Sequence, residues 1–100
     1  MKYIIITRHK GAIEWLRSRG IEGKIIEHFN GYVEKDTTYI GILPIPMIHS
    51  IVEKGGRFIL LSLPSIAFKD RGNELTPEEM DKAGAALYEI QNFKMVEVEV

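Results

Sequence analysis

Cysteine is absent from this chain, which excludes disulfides, thiolate metal sites and cysteine nucleophiles together and is compatible with a reducing compartment. No apolar run approaches the roughly 20 residues of a membrane span. The apolar start has neither a basic n-region nor a small-residue cleavage site, so a cytoplasmic protein without membrane contact is expected. Also missing are the Gly-x-Gly-x-x-Gly turn of dinucleotide-binding folds and the Walker phosphate loop, which disfavours hydride transfer to a nicotinamide and nucleoside-triphosphate hydrolysis. Neither charge sign dominates: 13 Lys and Arg stand against 14 Asp and Glu, for a net charge of −1. Long nucleic acid is therefore a poor partner. His9, His28 and His49 lie far apart, with no carboxylates at metal-site spacing, so neither metal nor cofactor is expected. There is no internal repeat.

What is present is a globular chain of 100 residues, 45% of them hydrophobic. A chain this short buries only about 60 to 70% of its unfolded surface and cannot support two cores, so residues 1–100 form one domain. Charge is unevenly spread. Residues 1–20 hold Lys2, Arg8, Lys10, Arg17 and Arg19 against Glu14 alone, whereas Glu74 to Asp81 is acidic. A small polyanion could be captured locally.

The segment Ile4-Ile5-Ile6-Thr7-Arg8-His9-Lys10-Gly11-Ala12-Ile13-Glu14-Trp15 concentrates the chemistry. Its β-branched run suits a buried, central parallel strand. Gly11 with Glu14 three places on forms half a capping box, which puts Arg8, His9 and Lys10 between a strand's carboxyl end and a helix's first turn. Backbone amides and the positive end of the helix dipole collect there, a setting for a phosphate-bearing ligand.

The remaining pattern predicts strands over 3–7, 24–28, 38–43 and 57–63, and helices over 11–19 and 47–54. Gly20 and Gly55-Gly56 stop those helices. Residues 29–37 show no helical period and read as a crossover that is irregular or contains a short extra strand. Residues 62–75 form a long stretch with Pro64, Lys69, Asp70, Arg71 and Gly72, read as a lid over a ligand. Thr76-Pro77-x-Glu79 is a capping box with proline in the first turn. Met80, Ala83, Leu87 and Ile90 continue it as the buried stripe of a last helix, and the alternation over 93–100 predicts a fifth, half-exposed edge strand. The result is an α/β fold: a mainly parallel five-stranded sheet with helices on both faces, whose ligands bind beyond the strands' carboxyl ends. Those ends are Thr7-Arg8-His9, His28-Phe29-Asn30, Leu43-Pro44 and Ser62-Leu63-Pro64.

Thr7-Arg8-His9-x-Gly11-Ala12-x-Glu14-Trp15-Leu16, then Gly41-x-Leu43-Pro44, Leu61-Ser62-Leu63 and Arg71-Gly72-x-Glu74-Leu75-Thr76-x-Glu78-x-Met80, resembles the small CRISPR-associated proteins called Csx-sixteen. The likeness runs over most of the chain, in order. It implies a role in type III CRISPR defence, as a ring nuclease that linearises the cyclic tetra-adenylate messenger on a homodimeric, single-domain Rossmann-like (CARF-like) fold. A four-nucleotide ring has rotational symmetry, so a two-fold dimer would present two copies of one phosphate loop to opposite phosphates. Cleavage without metal is expected, because the ribose 2′-hydroxyl supplies the nucleophile and the protein need only align, neutralise charge and move protons.

On this reading Arg8, His9 and Arg71 serve catalysis, and Thr7, Lys10, Gly11, Ser62 and Lys69 bind the substrate. Each has a plainer alternative. Arg8 could be a surface ion-pair donor, His9 a helix cap, Lys10 a solvated charge and Ser62 a partner of its own backbone. Trp15 and Tyr39 are assigned to packing, and His28 and His49 to structure. Glu78 and Glu79 suit a helix start rather than an acid/base pair. Two other functions stay open: a binder that sequesters the messenger uncut, and a histidine phosphatase. Arg8-His9 is similar to the Arg-His-Gly start of the latter, but Lys10 separates His9 from Gly11 and His49 is poorly placed as a second histidine.

Overall fold

A computed structural model describes residues 2–63 and 76–99. Along the chain run β1 (Lys2–Ile6), α1 (Lys10–Ser18), β2 (Lys24–Ile26), β3 (Thr37–Gly41), α2 (Ile45–Glu53), β4 (Arg57–Ser62), α3 (Pro77–Lys82) and β5 (Ala86–Ile90). The strands form one sheet in the order β2-β1-β3-β4-β5. The first four are parallel and β5 runs antiparallel to β4. The α/β class and the mostly parallel five-stranded sheet expected from the sequence are thus observed.

Side chains of a strand alternate between faces, and β1 divides the core accordingly. Ile5 joins Trp15 and Leu16 of α1, Ile40, Leu61 and Met80 of α3 on one face. Ile4 and Ile6 point the other way, into a cluster with Tyr39, Phe58 and Ile48 and Ile51 of α2. Helices therefore cover both faces. β3 lies at the centre with every residue buried, as a run of Thr, Tyr, Ile and Gly flanked on both sides by parallel neighbours should be. Fully burying side chains the size of Trp15, Leu16 or Phe58 contributes roughly 1.5–3 kcal/mol each, and each is at most 1% exposed. Trp15 and Tyr39 are core, as expected. The Tyr39 hydroxyl accepts from the Glu34 amide at 2.9 Å, which pins the irregular crossover to the sheet.

The three helices among the described residues end in the same way. In α1 the Gly20 amide donates to the Arg17 carbonyl and the Ile21 amide to that of Leu16; this is a Schellman closure. Gly55 and Gly84 take the same place after α2 and α3, with φ of 90° and 94° that favour a residue without Cβ.

Gly84 corrects the sequence reading. The capping box at Thr76 forms as expected, with the Glu79 amide donating to Thr76 Oγ1 and the Thr76 amide to Glu79 Oε1. The helix it opens, however, stops at Lys82 instead of continuing to Ile90. Leu87 and Ile90 belong to β5, which takes the free edge of β4 in register from Phe58↔Ile90 to Ser62↔Ala86. With that edge occupied, residues 93–99 form no strand. Phe93 packs instead beneath α2, its ring 5.1 Å from that of His49 in an edge-on arrangement. The lid expected within residues 62–75 lies, from Pro64 on, outside the described residues. No helix among those described is long and apolar enough to cross a membrane.

Candidate functional site

In the order β2-β1-β3-β4, the chain leaves β1 for β2 through α1 on one face and leaves β3 for β4 through α2 on the other, so the connections from the carboxyl ends of β1 and β3 diverge. Open α/β sheets bind ligands at such a switch point. A cleft of about 480 Å³ opens there. Thr7, Arg8 and His9 from the end of β1, with Glu27, His28 and Phe29 from the end of β2, line its polar side. Ile42, Leu43 and Pro44 after β3, Met47 of α2 and Leu61 of β4 form its apolar side.

Backbone register explains why β1 and β2 deliver their polar residues together. Ile6 pairs with Ile26, and the Thr7 amide extends the ladder by donating to the Ile26 carbonyl at 3.1 Å. Beyond that rung both chains leave the sheet side by side. Strand β2 is consequently shorter than the expected 24–28, and residues 27 and 28 face the cleft rather than a neighbouring strand.

Thr7 shapes the turn into the helix: its Oγ1 accepts from the His9 amide at 3.1 Å. The Thr7 hydroxyl proton remains available to a ligand oxygen. The half capping box expected at Gly11 and Glu14 does not form. Helix α1 begins one residue earlier, with His9 as N-cap, no side-chain cap hydrogen bond and no acidic residue in the first turn. The first turn of α1 thus contributes no carboxylate of its own to offset the positive end of the helix dipole.

Three of the five cations near the chain start are engaged in ion pairs. Lys2 pairs with Glu34 at 2.8 Å, Arg17 with Glu22 at 3.5 Å, and Arg19 with Asp81. Lys2 is held above and Glu34 below their ordinary pKa values, chiefly by the hydrogen bond between them. Arg8 and Lys10 enter no ion pair among the described residues. Only Arg8 of these two lines the cleft.

The structure thus gathers Thr7, Arg8 and His9 from the expected set. Lys10 is exposed and Gly11 buried in the first turn of α1, and neither lines the cleft. Ser62 pairs with Ala86 on the last rung of β4 and β5, with Leu61 in its place at the cleft. Lys69 and Arg71 lie outside the described residues. His49 contacts Glu53 and Phe93 away from the cleft, in keeping with a structural role. His28 departs from the structural assignment, since it is exposed and lines the cleft. Glu27, Phe29, Ile42 and Met47 were not singled out by the sequence, although His28-Phe29 stood at a recognised strand end. Phe29 brings an aromatic side chain to the cleft, set edge-on to Tyr39 with centroids 5.6 Å apart. No group of three or more His, Asp or Glu that could hold a metal occurs among the described residues.

Fold and cleft together define an α/β protein with a cleft of mixed polar and apolar lining at the sheet's switch point. Residues 4–93 match the family described as "Putative CRISPR-associated protein (Cas_VVA1548)", and the chain belongs to that family. Neither a curated protein nor a solved structure matches it.

Proposed function

We propose that this CRISPR-associated protein is a ring nuclease that binds and linearises cyclic tetra-adenylate without metal. One observation carries the reading: Arg8, which has no ion-pair partner among the described residues, shares one cleft with imidazole and aromatic side chains. A cyclic oligoadenylate needs all three. Its phosphates call for a cation with a planar fork of donors, its bases for apolar and aromatic surface, and its cleavage for groups that exchange protons near neutral pH. In this mechanism a ribose 2′-oxygen attacks the adjacent phosphorus, Arg8 and the Thr7 hydroxyl stabilise the charge that develops on the non-bridging oxygens, and His9 transfers a proton.

The cleft volume also bears on the assembly. About 480 Å³ falls within the roughly 300–1,000 Å³ of sites for drug-sized ligands, whereas the ring holds four nucleotides. On the proposed reading two copies related by a two-fold axis each take one side of the ring. Ile42, Ile45 and Met47, all exposed apolar side chains near the cleft rim, supply contact surface for that arrangement.

The test is incubation of purified protein with cyclic tetra-adenylate in the presence of a chelator. Linear product is expected. Intact ring held tightly after long incubation would replace cleavage by sequestration, and absence of binding would reject the reading altogether.

A further inference from the structure

We infer that His28 is the second proton-transfer group of the cleft, acting on the opposite side of the phosphorus from His9. The inference rests on the ring-nuclease reading and adds to it a residue that sequence reasoning assigned to structure.

The placement comes from the sheet. Ile6 and Ile26 pair in register, and the Thr7 amide donates to the Ile26 carbonyl at 3.1 Å. Two residues past that rung on β2 stands His28, and three past Ile6 on β1 stands His9. Both are exposed and both line the same cleft. The third histidine lies away from the cleft. His49 has Nδ1 3.5 Å from Glu53 and its ring against Phe93. Among the described residues, no hydrogen bond or ion pair engages the His28 side chain. An exposed imidazole that braces nothing in the fold, yet faces a cleft, is placed for a ligand.

The chemistry requires two such groups. When O2′ bonds to phosphorus its proton must leave, and when the bond from phosphorus to O5′ breaks that oxygen must gain one. In-line displacement holds the entering and leaving oxygens on opposite sides of the phosphorus, so one imidazole cannot reach both. One histidine takes the 2′-hydroxyl proton as base while the other, protonated, gives a proton to O5′ as acid. The products are a 2′,3′-cyclic phosphate and a 5′-hydroxyl. No proton is consumed overall, and exchange with water restores the starting states. Among the described residues, the other charged side chains lining the cleft are Arg8 and Glu27. Strand β3, α2 and β4 contribute no titratable group to it. Arg8 stays charged throughout, which leaves Glu27 as the competing proton carrier.

Single-turnover cleavage of cyclic tetra-adenylate between about pH 5 and 9 decides the matter, read beside ring affinity. The wild-type rate is expected to be bell-shaped. His28→Asn should remove one limb and slow cleavage about 100-fold or more, with affinity changed by less than about threefold. His9→Asn should remove the other limb, and His49→Asn should leave the profile alone. Turnover by His28→Asn with an unchanged bell would overturn the assignment by itself. Loss of a limb in Glu27→Gln but not in His28→Asn would transfer the role to Glu27. Intact ring with the wild-type protein would instead overturn the cleavage reading on which the assignment stands.

Discussion

The indole Nε1 of Trp15 donates a hydrogen bond to the Asp81 carboxylate at 2.8 Å, tying α1 to α3 across 66 residues of chain. Arg19 completes the arrangement, pairing with the same carboxylate while its guanidinium lies 4.8 Å from the Trp15 ring centroid. A buried tryptophan must satisfy its N–H, and Asp81 does so from the surface. Helix α1 carries the loop that ends in His9, so this tether also fixes the cleft's cationic side.

Acid should loosen the tether. The Asp81 pKa is lowered below the usual carboxylate range, first by the Trp15 hydrogen bond and then by that of Arg19. A folded pKa below the unfolded one stabilises the fold above the unfolded value and loses that contribution as pH falls through the folded one. Glu79, lowered by its bonds to Thr76, and Glu89, lowered by Arg57, act with the same sign. Stability measured by urea unfolding should therefore hold near neutrality and decline as pH drops through and below the ordinary carboxylate range. Asp81→Asn should be less stable than wild type at pH 7 and show a shallower acid decline. An unchanged decline in the variant would remove Asp81 from the account.

Gly41 ends β3 opposite Ile6, and a Cβ added there would sit 2.5 Å from the Ile6 carbonyl oxygen. Backbone cannot swing away as a side-chain tip can. Gly41→Ala is expected to cost on the order of 1–3 kcal/mol, the range for overpacking a well-packed core. It should also spread β1 from β3 at the mouth of the cleft. Chemical denaturation with an unchanged m-value would read the first effect and weakened ring binding the second. Wild-type stability in the variant would show that the two strands have room to part.

Much of this architecture is legible in the residues, and the failures have physical causes. The Ile4-Ile5-Ile6 run, the Gly20 stop and the Thr76 to Glu79 capping box each carry a local mechanism, and each forms. The end of α3 differs from the sequence pattern because Met80, Ala83, Leu87 and Ile90 mimic a helical stripe, although the last two face the core from a strand. Gly84 was the signal against it, a left-handed closure in the middle of the supposed helix. The alternation over residues 93–99 is a strand pattern, but β5 had already taken the only edge it could reach from β4. At the site, Arg8 and His9 follow from the strand-to-helix loop alone. His28 could be ranked only once the register of β1 on β2 was known, because a one-residue slip would turn its side chain to the other face.

Arg8 should matter for capture more than for folding, since it is exposed. A hydrogen bond to a charged group is worth about 1.5–3 kcal/mol, so Arg8→Ala should weaken cyclic tetra-adenylate binding roughly 10- to 100-fold. Arg8→Lys should recover only part of that, as a point charge cannot grip a phosphate in two places. The salt dependence of affinity should become shallower in Arg8→Ala as one phosphate contact is lost. Equal affinities across the three proteins at low salt would move the anion away from this loop.

Phe29 tests whether the cleft reads a base as well as a phosphate. Its ring is half-buried against Tyr39 and also lines the cleft, so replacement by alanine would mix lost packing with lost recognition. Phe29→Leu keeps apolar bulk beside Tyr39 and removes only the aromatic face. Base stacking on an aromatic side chain is worth about 1–3 kcal/mol, and the variant should lose roughly fivefold or more in affinity for the ring. Its affinity for inorganic phosphate should not change. Titration of both ligands into both proteins separates the outcomes: weaker binding of the ring alone supports a nucleobase on Phe29. Identical ring affinities would mean that the apolar side of the cleft, from Ile42 to Met47, holds the base without it.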